Sequence, residues 1–222
     1  MDERFSRTAL LIGADGLEKL KNSHIAVFGI GGVGGYAVEA LARCGIGKFT
    51  LVDKDIIDIT NINRQIIATS KTVGRPKTEV MRERIADINP DAEVNARQCF
   101  FLPENADEFD FSEYTYVIDA VDNVTAKIEI IMRAKAAGTP VISAMGAGNK
   151  IEASMFEVSD IYKTQMCPLA RVMRREMRKR GVDNLKVVYS REKAAEVEKI
   201  RDGAKIVPAS ISFAPPSAGL LI

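Results

Sequence analysis

The stretch His24–Asp55, HIAVFGIGGVGGYAVEALARCGIGKFTLVDKD, decides the fold. HIAVF is a run of β-branched and apolar residues, the pattern of a strand buried on both faces. It runs directly into glycines at Gly29, Gly31, Gly32 and Gly34. YAVEALARC then has helical spacing and stops at Gly45, a helix-ending glycine. FTLVD is a second strand, closed by Asp53. Strand, glycine loop, helix and strand make a unit in which backbone N–H groups at a helix N-terminus receive phosphate. An acidic residue closing the second strand is placed to bind a ribose hydroxyl.

Outward from this unit the rhythm continues. KTEVMRERIADIN is a helix with Pro76 in its first turn, and VTAKIEIIMRAKAAG is another. EVNARQCF, TYVIDAV and PVISAMG are strands. Alternating strands and helices predict an α/β fold, a doubly wound, mostly parallel, Rossmann-like sheet. Residues 3–22 read as two short helices broken at Gly13 and Gly16. Past Gly148 the pattern changes. IEASMFEVSDIYKT reads as antiparallel strand and loop, and PLARVMRREMRKRG as a helix. Residues 190–205 are charged and poor in large apolar groups, so a mobile loop or frayed helix is expected. The expected division is a nucleotide-binding domain over 1–150 and a smaller C-terminal extension over 151–222. The apolar ending SAGLLI reads as a point where a longer chain was cut.

Composition excludes several classes. With 46% hydrophobic and 27% charged residues, the 222-residue chain can bury a core and is not disordered. Lys+Arg 31 against Asp+Glu 30 leaves a net charge of +1, so a nucleic-acid site must be a local patch. The three cysteines form no CxxC pair, which argues against structural zinc and a disulfide framework. One histidine, His24, leaves little room for histidine-based catalysis and reads as structural. Cys44 and Cys99 read as core, and Cys167, ahead of Pro168 at a helix start, as a structural thiol. The uncharged runs are broken by Gly and Pro, so neither is a membrane span, and the acidic start MDERF is no signal peptide. The cytoplasm is the expected compartment.

The glycine loop and Asp53 alone would suit a dinucleotide dehydrogenase. The rest suits a triphosphate with magnesium. Asp53 and Asp55 form a D-x-D pair, Asn61 and Arg64 stand in TNINRQ, Lys77 opens a helix in VGRPK, and Asp122 follows a strand in DAVDN. Arg and Lys neutralise phosphate oxygens, and a carboxylate holds the metal. A single helix carries the one basic concentration. Between Arg171 and Arg180 stand six basic residues and one acidic. Arg171, Arg174, Arg175 and Arg178 share a face by their i, i+3, i+4, i+7 spacing, opposite an apolar stripe of Leu169, Met173 and Met177. That face reads as a ridge for an RNA backbone or as an ordinary solvated face.

GIGGVG, LVDKD, TNINRQ, VGRPK and DAVDN, in this order, resemble the ubiquitin-activating-enzyme-like superfamily, whose members adenylate a carboxylate with ATP. The resemblance covers roughly residues 4–160. It implies that Gly31 to Gly34 cradle phosphates and Asp53 binds ribose. By the same resemblance Asn61, Arg64 and Lys77 contact the triphosphate and Asp122 coordinates magnesium. RFSRT is similar to an N-terminal stretch whose second arginine, here Arg7, reaches the phosphates of the other subunit of a homodimer. The branch acting on sulfur-carrier proteins usually has two CxxC pairs, absent here. RTxxLxG at Arg7–Gly13 and CPLA before a basic helix look like the tRNA threonylcarbamoyladenosine dehydratases. That likeness implies tRNA as partner and an ATP-driven ring closure through an adenylated carboxylate. A sulfur-carrier adenylyltransferase, with a sulfur-transfer protein as partner, a nucleotide-binding scaffold and a dehydrogenase stay open as alternatives.

Overall fold

His24–Phe28 forms β1, an inner strand of a sheet. In the computed structural model, which describes residues 2–197, 200–202 and 205–222, this strand is preceded by a short 3-10 turn and by α1 (Ser6–Lys21). α2 (Gly34–Cys44), β2 (Lys48–Val52), α3 (Lys77–Ile88), β3 (Glu93–Arg97), β4 (Tyr116–Asp119), α4 (Val124–Ala136) and β5 (Val141–Ala144) follow. Then come β6 (Phe156–Asp160), α5 (Pro168–Lys179), β7 (Lys186–Ser190), the hairpin strands β8 (Ile200–Asp202) and β9 (Lys205–Val207), and α6 (Ala214–Leu221). The main sheet has seven strands in the order β3-β2-β1-β4-β5-β7-β6. All neighbours are parallel except β6 and β7. The mostly parallel α/β sheet expected from the sequence is what forms.

Period-two alternation divides the core. Ala26 and Phe28 of β1 face one layer with α4 and α5, through Ile130, Met173 and Met177. Ile25 and Val27 face the other, with Val38 of α2, Met81 of α3 and Ala218 of α6. Both faces of the inner strands are covered, which is why β1, β2, β4 and β5 read as short apolar runs, while the edge strands β3 and β6 stay partly exposed.

Several expectations change. The break in the N-terminal helix lies at Gly13 (φ 77°, ψ 171°), whereas Gly16 stays inside the helix. Cys44 is exposed, because α2 turns its last residue outward, so it is not a core thiol; Cys99 is half-buried and packs against the edge of the core, and Cys167 is buried. Residues 200–202 and 205–207 pair as an antiparallel hairpin where a mobile loop or frayed helix was expected; 198–199 and 203–204 lie outside the described residues. Strand β7 and helix α6 were not anticipated. His24 is structural, its Nε2 lying 2.9 Å from the Thr50 hydroxyl. Among the described residues no helix is long and apolar enough to cross a membrane.

Candidate nucleotide and substrate site

The glycine loop leaves the C-terminal end of β1 between the ends of β2 and β4. Gly29 takes φ 91°, and a Cβ there would stand 2.7 Å from the Ala120 carbonyl oxygen, so only glycine fits. At Gly34 a Cβ would lie 1.9 Å from the Gly29 carbonyl oxygen, so the loop closes on itself at the start of α2. Gly31 has nothing within 4 Å of its would-be side chain and leaves open space over the loop.

Asp53 follows β2 at the same edge. Its carboxylate accepts the Ile30 N–H at 2.6 Å and the Asp55 N–H at 2.9 Å, which ties it to the glycine loop. Burial pushes its pKa above the ordinary aspartate value, against the opposing pull of Lys77 and the two backbone donors. The Asp55 carboxylate accepts a hydrogen bond from Lys77 Nζ at 2.9 Å. The Lys77 backbone N–H donates to the Asp55 carbonyl, so the start of α3 is anchored beside the D-x-D pair. Asp55 therefore holds Lys77, a buried cation brought to the sheet edge.

Arg64 is half-buried and reaches the loop from the other side, its Cγ 3.4 Å from where a Gly32 Cβ would be. Burial lowers its pKa. Its NH1 donates to the Thr60 carbonyl and to Asn63 Oδ1. Asn61 is buried, and its Oδ1 accepts the Asp58 N–H in a capping box, so part of this side chain serves the local turn. Asp122 is exposed just beyond β4. The cap of α4 is Asn123, whose side chain accepts the Ala126 N–H, so helix capping does not consume Asp122. Below it lies a fully buried ion pair. Lys127 Nζ donates to Asp119 Oδ2 at 2.9 Å, Ser143 Oγ donates to the same oxygen, and Asp119 Oδ1 accepts the Val121 N–H.

The glycines, Asp53, Asp55, Arg64, Lys77 and Asp122 thus converge on one edge. Arg7 does not join them. Phe5 packs within 3.5 Å of a Cβ placed on Gly45, at the far end of α2 from the loop, and Arg7 is exposed two residues later. The arginine ridge is split. Arg171, Arg175 and Arg178 are exposed, Arg178 lying over the Tyr162 ring. Arg174 is half-buried and donates through NH1 to the Thr164 carbonyl and hydroxyl, so it belongs to the fold more than to the ridge.

The sequence did not reveal the roof over the loop. Pro215 of α6 lies 3.0 Å from a Cβ placed on Gly32, and Gly219 meets the Val33 carbonyl so closely that a Cβ would sit 2.3 Å away. The uncharged run Ile206–Ile222, with Pro215 and Pro216 opening a helix, was the available signal. Gln65, next to Arg64, is buried with its Oε1 lacking a hydrogen-bond partner among the described residues.

Residues 5–192 match the model of the ThiF family. The tRNA threonylcarbamoyladenosine dehydratase of Bacillus subtilis (strain 168) is 44% identical, over 100% of this chain and 92% of its own length. The solved Escherichia coli tRNA N6-threonylcarbamoyladenosine dehydratase in complex with ATP superposes with a TM-score of 0.89 at 35% identity, over 99% of this chain and 90% of that one. The sulfur carrier protein ThiS adenylyltransferase of Escherichia coli (strain K12) is 35% identical over a smaller share, 65% of this chain and 58% of its own. The strand order, the glycine loop and these likenesses agree: the chain belongs to the ThiF family, on the branch of the tRNA threonylcarbamoyladenosine dehydratases.

Proposed function

We propose that this protein is an ATP-dependent dehydratase of N6-threonylcarbamoyladenosine in tRNA. The threonyl carboxylate oxygen attacks the α-phosphorus of ATP and pyrophosphate leaves. The neighbouring carbamoyl group then attacks the activated acyl carbon, the ring closes, and AMP departs. The convergence of the glycine loop, Asp53, Lys77, Arg64 and a free Asp122 on one sheet edge carries this reading. Phosphoryl transfer needs positioning and charge neutralisation more than a strong base, and ring closure within one molecule needs no enzyme nucleophile. A chain with one histidine is equipped for both.

In this reading the loop N–H groups from Gly31 to Gly34 and the α2 N-terminus receive phosphate, and Asp53 accepts the ribose hydroxyls. Lys77 and Arg64 neutralise the triphosphate, with Asn61 beside them. Asp122 is the residue that would hold magnesium, whose charge would offset that of the departing pyrophosphate. Its carboxylate is exposed and makes no ion pair among the described residues, which fits a metal shared with phosphate oxygens. The nucleotide-binding unit runs to residue 150, and 151–222 extends it and covers the loop.

Arg7 serves the second subunit of a homodimer. It is remote from its own loop, and beside it Leu10 and Leu11 are 86% and 88% exposed, an apolar face suited to burial against a partner. The exposed arginines of α5 run along the tRNA backbone, and the protein works with tRNA in the cytoplasm. Incubation with ATP and tRNA carrying N6-threonylcarbamoyladenosine should release AMP and convert the nucleoside to a product lighter by one water. Asp122→Ala should keep the fold and stop AMP formation. AMP release with a carrier protein ending in Gly-Gly, and none with tRNA, would instead establish the sulfur-carrier reading.

A further inference from the structure

Arg64 is not held by its own segment alone. Its NH1 donates to Asn63 Oδ1 at 3.0 Å, and Asn63 Nδ2 donates to the Ser210 carbonyl at 3.0 Å. Ser212 Oγ donates to the Asn63 carbonyl at 2.7 Å. One carboxamide therefore links the guanidinium to a segment far away in sequence. That segment is fixed on both sides. Upstream, Asn149 and Ala209 exchange two hydrogen bonds, one through the backbone and one through Asn149 Oδ1. Downstream, Pro215 and Gly219 close on the glycine loop and α2. Between these anchors Ile211 and Phe213 turn outward, 38% and 65% exposed, so the polar bonds to Asn63 are what hold the middle.

We propose that Asn63 is a positioning residue, which aims Arg64 at the glycine loop and is itself braced by Ser210 and Ser212. The chemistry needs an amide. Its oxygen accepts from the cation while its nitrogen donates to a carbonyl, and neither a carboxylate nor a hydrocarbon does both. A guanidinium aimed in advance loses less freedom when phosphate arrives. The inference rests on the ATP reading of Arg64, and the experiment separates the two.

Steady-state ATP kinetics and amide hydrogen exchange over residues 208–213 would be compared in wild type, Asn63→Leu, Asn63→Asp and Ser212→Ala, each checked for an intact fold by circular dichroism. Asn63→Leu should raise the KM for ATP about tenfold with kcat little changed, the size expected of a hydrogen bond to a charged group lost from ground and transition states alike. Exchange at 210–213 should quicken in Asn63→Leu and in Asn63→Asp, which keeps an oxygen toward Arg64 and loses the donor to Ser210. Ser212→Ala, the mildest change, should raise the KM about two- to threefold, as for one neutral hydrogen bond. In an Arg64→Lys background, Asn63→Leu should add nothing, because its effect passes through the guanidinium. An unchanged KM in Asn63→Leu, or full additivity with Arg64→Lys, overturns the positioning role while ATP turnover by wild type stands. Wild type that neither binds nor consumes ATP overturns the nucleotide reading, and this inference with it.

Discussion

The carboxylate of Asp53, at the end of β2, accepts the backbone N–H of Ile30 inside the glycine loop. One ionisable side chain thus ties β2 to the loop, and in the proposed function the same carboxylate accepts the ribose hydroxyls. Burial raises its pKa, so protonation on acidification begins above the ordinary aspartate value of about 3.9. A protonated carboxyl accepts ribose hydroxyls poorly. ATP affinity should therefore weaken as pH falls, beginning at a higher pH than an ordinary aspartate would give. Calorimetric titration of ATP between pH 4 and 8 checks this. Asp53→Asn should bind ATP more weakly and without that acid limb; an identical limb in the variant would assign it to another group.

The Lys127–Asp119 pair is 0% exposed on both side chains, under the loop that carries Asp122. Lys127→Met leaves a buried carboxylate without its cation and should cost about 3–5 kcal/mol. Asp119→Asn in the same chain removes the stranded charge and should return part of that loss. Urea unfolding of the three proteins measures both. Equal stability of Lys127→Met and wild type would mean that the carboxylate is neutralised some other way.

Arg7 and Asp122 belong to one site only if two chains share it. Arg7→Ala and Asp122→Ala homodimers should each form little AMP, and mixing them should restore part of the activity, since one site of a mixed dimer keeps both groups. Exchange is followed by native mass spectrometry. No recovery among proven mixed dimers counts against the shared site.

The split of the arginine ridge gives an internal control. Replacing Arg171, Arg175 and Arg178 with Glu should weaken tRNA binding and flatten its log–log salt dependence by about one unit for each phosphate no longer neutralised. ATP affinity should not change. Arg174→Ala should instead lower the unfolding midpoint, because it strips a cation from the Thr164 carbonyl and hydroxyl, with a smaller effect on the salt slope. Binding titrations at four salt concentrations separate the outcomes, and parallel slopes for wild type and the triple variant would reduce the ridge to a solvated face.

Local pattern made the nucleotide edge legible. β1, β2 and β4 are buried on both faces and so appear as short apolar runs, and the loop residues between them are types that turns and phosphates demand. Gly29 and Gly34 can be read because no other residue fits. What escaped was tertiary. α6 packs Ala214, Pro215, Pro216, Ala218 and Gly219 inward, so it lacks the polar face that would have given a helical period. β7 is a five-residue run whose partners, β5 and β6, stand before it in the chain, and no turn chemistry marks the pairing. Arg171 and Arg174 look alike by spacing, yet a loop threonine captures one and leaves the other in solvent. Asn63 is one polar residue among several in TNINRQ until Ser210 and Ser212 arrive beside it.

The meeting of Gly219 with the Val33 carbonyl also bears on how the protein is made. The ribosome emits the glycine loop early and α6 late, and domains fold as their residues emerge. Until residue 219 is clear of the exit tunnel, the loop lacks the helix that backs it, and closing so long a stretch of chain is a slow step. A ribosome stalled before α6 then presents a nascent chain whose glycine loop lacks the packing of Pro215 and Gly219.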